Sequence, residues 1–208
     1  MAENPESKNI DIKNIQEIIV HGFQNAAKGF SGMIGEVMQV IDPAVKAISL
    51  KDIPMFLGSP ENDAVGIYLR VEGDISGQIM LILPYDKAME IVDLVFEQPF
   101  GTTQQLGPME RSALAEVGNM TGTFFLNAIA EMTGIAARPT PPAVMVDMVG
   151  AILDVIIATM GQVDHTYFNE KVLMFQSNFS IGDRETKANF WIIPDPGTLE
   201  KLSTSGKK

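Results

Sequence analysis

Between Ala64 and Glu72 the chain alternates, with Val65, Ile67, Leu69 and Val71 on one side, the two-residue period of a half-buried strand. Ile79–Leu83 and Phe190–Ile193 are short continuous apolar runs, as in strands buried deeper in a sheet. A long helix is predicted to open at Asp11, whose carboxylate suits an N-cap. It closes where Gly35 supplies a left-handed residue, and a second long helix closes in the same way at Gly134. A shorter helix is predicted from Asp86, read as its N-cap, to about Phe96. Gln98–Gly107 (QPFGTTQQLG) then has the composition of a connector. Around Gly150–Met160 a further helix places Ile152, Val155, Ile156 and Met160 on one apolar stripe, with Asp154 off it. Core packing is the ordinary explanation of such a stripe. Ser203–Lys208 reads as a disordered tail.

These elements repeat. Gly35 and Pro43-Ala44-Val45 recur 99 positions later as Gly134 and Pro142-Ala143-Val144. At the same offset Ile15 meets Leu114, Glu17 meets Glu116, Ile18 meets Val117 and Met33 meets Met132. Further along, Ile82-Leu83-Pro84 pairs best with Ile192-Ile193-Pro194, an offset of 110, so the second copy has gained a loop. Repeat 1 spans about residues 9–97 and repeat 2 about 107–202. Halves of that size bury little area alone. The expectation is one domain over 1–208 of α+β class: a pseudo-twofold duplicated unit, mainly antiparallel, with two long paired helices on one face of the sheet.

Composition narrows the function. With 46% hydrophobic and 20% charged residues the chain can build a core. A formal charge of −11 disfavours nucleic acid and anionic membrane surfaces, both of which recruit Lys and Arg. The absence of cysteine excludes disulfides, thiolate metal sites and a cysteine nucleophile. His21 and His165 are isolated and make no metal spacing, so they read as structural and no metal site is expected. Met1–Lys8 holds no apolar leader, and Asp147 and Asp154 interrupt the most apolar window, Ala143–Gly161. A cytoplasmic location is expected by default.

On the second long helix Ser112, Glu116, Asn119 and Thr123 fall within a stripe about 60° wide, counting about 100° per residue. Leu114, Val117, Phe125, Ala128 and Met132 lie roughly opposite and are predicted to face the core. The solvated face of an amphipathic helix would account for such a stripe without any chemistry. Gly118 and Gly122 cost the helix about 1 kcal/mol each relative to alanine, which points to a close approach to the backbone.

The spacing Ser112-x-x-x-Glu116-x-x-Asn119, followed by 22 residues and Pro142, resembles the signature of the CheC, CheX and FliY phosphatases, and the duplication extends the likeness over nearly the whole chain. The resemblance implies hydrolysis of the aspartyl phosphate of a CheY-like response regulator, which itself supplies magnesium and a lysine. The phosphatase needs no cofactor of its own. Asn119 would hold the attacking water in line, as a glutamine does in small GTPases. A carboxamide offers an acceptor and two donors without becoming charged. Glu116 would pair with the regulator's lysine. Ser112, Gly122 and Pro142 would give structural or docking support.

The first copy departs from the pattern, with Lys13, Glu17, Val20 and Pro43 at the equivalent positions. Valine cannot orient water, so that site reads as degenerate. Phe23 stands where the second copy has Gly122 and would obstruct close approach. Two alternatives stand beside the enzyme. One is a non-catalytic binding module like the FliM middle domain. The other is an adaptor for CheD, a partner for which the helix bearing Asp154 is the candidate surface.

Overall fold

The computed structural model describes residues 11–48, 59–163, 172–181 and 184–205. In chain order its elements are α1 (Ile12–Ile34), β1 (Met38–Ile48), β2 (Asp63–Gly73), β3 (Gly77–Pro84), α2 (Tyr85–Val95), α3 (Pro108–Thr133), β4 (Ala137–Pro139), β5 (Ala143–Met148), α4 (Val149–Val163), β6 (Val172–Ile181), β7 (Arg184–Pro194) and α5 (Pro196–Thr204). The fold is α+β, with one antiparallel sheet ordered β1-β6-β7-β3-β2 and with β4 and β5 both laid along β2.

Local chemistry sets the helix ends. The Asp11 carboxylate accepts a hydrogen bond from the Asn14 backbone N–H at 3.1 Å and starts α1. Gly35 and Gly134 end α1 and α3 at φ 71° and 73°, a conformation that costs glycine little. Asp86 is not an N-cap: Pro84 holds that place, and Asp86 lies in the first turn of α2, where its charge still suits the helix dipole. Ser203 is not part of a loose tail. It is buried in α5, and its hydroxyl accepts from the Asp11 N–H at 2.7 Å. Residues 206–208 lie outside the described residues, as do His165 and the side chain of Met160.

Alternation along the strands divides the core in two. Val65, Ile67, Leu69 and Val71 of β2, with Ile79, Leu81 and Leu83 of β3, face the layer containing α1, α3, α2 and α5. The Phe23, Phe125, Phe179 and Phe190 rings meet there, centroid to centroid at 5.4–5.8 Å. The other sheet face, with Ala64, Met80, Ile82 and Trp191, packs against Val149, Ile152, Leu153 and Ile156 of α4. α1 and α3 therefore lie together on one face, and α4 lies on the opposite one. On α4 the stripe read from the sequence splits, because Ile152 and Ile156 are buried whereas Val155 is 55% exposed.

Exchanging the two halves of the chain leaves the strand order unchanged, and the ladder registers agree. The pair Met38↔Ile181 corresponds to Ala137↔Gly73, and Ala44↔Gln176 corresponds to Ala143↔Tyr68. Likewise Ile67↔Leu81 corresponds to Phe175↔Ile192, and Met80↔Trp191 maps onto itself. The register break after Ile41, at Asp42-Pro43, matches the gap between β4 and β5 at Thr140–Pro142. At the helix crossing, the Asn25 amide donates to the carbonyl of Phe124, its own counterpart 99 positions on, at 2.7 Å.

These registers correct the second offset. An offset of 110 equates Ile82 with Ile192, yet Ile82 faces α4 and Ile192 faces the long helices. A one-residue slip in a strand moves every side chain to the other face. The ladders require 111, which equates Leu81 with Ile192 on the same face and aligns the first residues of α2 and α5, Tyr85 and Pro196.

The connector before α3 is held by a buried carboxylate. Asp93 is 1% exposed and accepts from the Gly101 N–H at 2.7 Å and the Thr103 N–H at 2.8 Å. Burial pushes its pKa up, but the hydrogen bonds from Thr103 and Gly101 outweigh that and hold it below the ordinary 3.8. A folded pKa below the unfolded one contributes stability above the unfolded value that is lost as pH falls through the folded one. Asp93→Asn should therefore lower stability by about 2 kcal/mol at pH 7. The gap between wild type and variant in thermal unfolding should narrow steadily as the pH is taken below 3.8. A gap independent of pH would contradict this assignment.

Candidate active site

The polar stripe stands on α3, and what lies beneath that helix determines its position. Leu114, Val117, Gly118, Thr121, Gly122 and Phe125 form the buried side. Gly118 lies so close to β2 that an added Cβ would sit well inside contact distance of the Ile67 Cγ2 methyl. At Gly122 a Cβ would meet Leu69, Pro139 and Ile79 at 3.5–3.7 Å, ordinary contact. The close approach that the glycines indicate is thus to the protein's own sheet, and Gly122 faces inward rather than towards a partner. Phe23, its counterpart, is likewise buried, at 1% exposure, and obstructs nothing on the surface.

On the outward side Ser112 and Glu116 are exposed, and Asn119 and Thr123 are partly buried. Neither Glu116 nor Asn119 makes a side-chain hydrogen bond or ion pair with another described residue, so both polar ends are available. Their i, i+3 spacing on one helix sets them a turn apart on the same side. Met132 does not face the core as its place in the helical pattern suggests. At 39% exposure near the end of α3 it borders the neighbouring helix α1.

Pro142 belongs to the Thr140–Pro142 interruption between β4 and β5. The Thr140 N–H donates to the Arg70 carbonyl at 2.8 Å, and its hydroxyl accepts from the Arg70 N–H at 3.0 Å. Ala143 pairs with Tyr68. The interruption therefore borders the stretch of β2 carrying Ile67 and Leu69, the residues under Gly118 and Gly122. Asn119 lies between those two glycines, on the turn of α3 that stands over that stretch of β2. Asp154 is exposed on α4, across the sheet, and the structure does not bring it together with Asn119.

On α1, Lys13 and Glu17 are exposed and Val20 is partly buried, the same grades as Ser112, Glu116 and Asn119. Pro43 is exposed at the β1 register break, next to Asp42 at φ 49°. Among the described residues no three His, Cys, Asp or Glu side chains group as a metal site would require, and no helix is long and apolar enough to cross a membrane. Sequence reasoning misses Asp93: its role depends on a hydrogen-bonded loop that carries no periodic signal.

Residues 109–146, spanning the stripe and Pro142, match the CheC-like family. The chain is 27% identical over 191 residues to the CheY-P phosphatase CheC of Bacillus subtilis, covering 90% of each. Its fold is similar to that of Thermotoga maritima FliY, with a TM-score of 0.70 at 19% identity over 97% of this chain and 96% of that one. It is also similar to CheX in the Borrelia burgdorferi CheX–CheY–BeF3–Mg2+ complex, with a TM-score of 0.54 at 17% identity, covering 85% and 96%.

Proposed function

We propose that this member of the CheC-like family is a protein aspartyl-phosphate phosphatase acting on a CheY-like response regulator, with one active site, on α3. The observation that carries the reading is the pairing of Glu116 and Asn119. Both project from one rigid helix, neither is engaged by the described residues, and both lie inside the segment matched to the family. Asn119 receives the water on its carbonyl oxygen, steers it with its N–H2 group and keeps it in line behind phosphorus. Glu116 engages the regulator's lysine and sets the angle at which the helix meets the phosphoryl group. The regulator brings its own magnesium, so no cofactor is assigned to this chain. Ser112 lines the start of the stripe, and Gly118, Gly122 and Pro142 hold α3 at its height above the sheet. Phosphate release from a phosphorylated CheY-type protein, measured with and without this chain, tests the reading. A rate equal to the regulator's own would end it.

Docking through Glu116 is electrostatic at an exposed position. Glu116→Ala should weaken regulator binding by roughly two- to fivefold and slow turnover, and raising salt should reproduce part of the loss in the unmodified protein. Full affinity with no turnover would instead give Glu116 a purely chemical role.

A further inference from the structure

The face of α1 has no assigned role, yet it is more than the outer side of a packing helix. Packing uses Ile15, Ile18, Ile19 and Phe23, all buried. The opposite side lines an open groove of about 510 Å³ with Lys13, Glu17, Val20 and His21, to which α3 adds Met132. The ladder registers and the Asn25–Phe124 hydrogen bond relate this face to the Asn119 face by the exchange of halves. Glu17 keeps the carboxylate at the docking position with the exposure of Glu116, whereas Val20 lacks the carboxamide.

We propose that the α1 groove is a second docking surface for the same phosphorylated regulator, one that binds without hydrolysing. The inference rests on the reading of α3 as the regulator-binding face. Glu17 offers the regulator's lysine the partner that Glu116 offers on α3. Val20 presents methyl groups where water would have to be held, so the phosphoryl bond stays intact. Lys13, in the place of Ser112, repels the same lysine, so this is the weaker of the two sites. One chain then binds two regulators and turns over one, retaining a fraction of the phosphorylated pool in bound form.

Titration calorimetry with a CheY-type regulator loaded with beryllofluoride and magnesium distinguishes the cases. Two regulators per chain are expected, with the weaker of the two affinities falling by a further roughly two- to fivefold in Glu17→Ala and the tighter falling by a similar factor in Glu116→Ala. An Asn119→Ala chain should still bind two while phosphate release stays at the regulator's own rate. A stoichiometry of one whose affinity is unchanged in Glu17→Ala but falls in Glu116→Ala overturns the second surface and leaves the α3 reading standing. Hydrolysis persisting in Asn119→Ala but removed by adding Glu17→Ala overturns the non-hydrolysing role. Absence of any binding overturns the α3 reading and this inference with it.

Discussion

Replacing Asn119 with alanine should bring phosphate release down to the regulator's spontaneous rate, a loss of about a hundredfold or more in the accelerated component. The side chain is partly exposed and bonded to no described neighbour, so the fold should barely register the change. Unfolding midpoints within the scatter of surface variants, together with an unchanged regulator affinity, are expected. That combination separates lost chemistry from lost docking: Glu116→Ala should move affinity, and Asn119→Ala should move only the rate. A folded Asn119→Ala protein with full turnover would remove Asn119 from the mechanism and leave the carboxylate without a water-holding partner.

Gly118 should be nearly as sensitive, for a mechanical reason. A single methyl there runs into the Ile67 Cγ2 atom, and both belong to packed elements. Gly118→Ala would gain helix propensity, about 1 kcal/mol, but overpacking of this kind costs about 1–3 kcal/mol and displaces backbone. The net change in stability is therefore modest. The displacement falls on the turn that carries Asn119, where small errors of placement are costly: a shift of about 1 Å can lower a rate a hundredfold. Turnover should consequently fall far more than stability. The double variant Gly118→Ala with Ile67→Ala removes the obstructing methyl, and its rate should exceed that of Gly118→Ala alone. Additive losses in the double variant would show that the Gly118–Ile67 contact does not set the height of Asn119.

Features that depend on local chemistry could be read from the chain. Asp11 before a periodic apolar run, Gly35 and Gly134 after one, and the alternation of β2 all act within a few residues, so composition exposes them. The stripe from Ser112 to Thr123 was legible for the same reason, because helical spacing alone puts those side chains on one side. Features that depend on distant contacts were harder to read. Asp86 looks like an N-cap by residue type, but Pro84 precedes it with the right backbone angles and starts the helix first. The 110 offset failed because identity between apolar strands says little about which face each residue takes, and only the ladders decide that. Met132 belongs to the apolar pattern yet borders the open groove beside α1. The splitting of the α4 stripe follows from contact with one sheet face only.

The strand order has a consequence for how the protein is made. β1 emerges early, but its ladder partner is β6, more than a hundred residues later, while β5 completes its pairing on the β2 of the first half. A nascent chain that has reached the connector therefore holds a β2–β3 hairpin with both outer edges unpaired, and α1 without the helix it packs on. Long-range pairings of this kind slow folding and leave strand edges open to other chains. Synthesis must run nearly to the end before the sheet can close, so the two halves are one folding unit in time as well as in space. The first half is indispensable whatever its own stripe does, because α3 has no platform until that half has contributed β2 and β3.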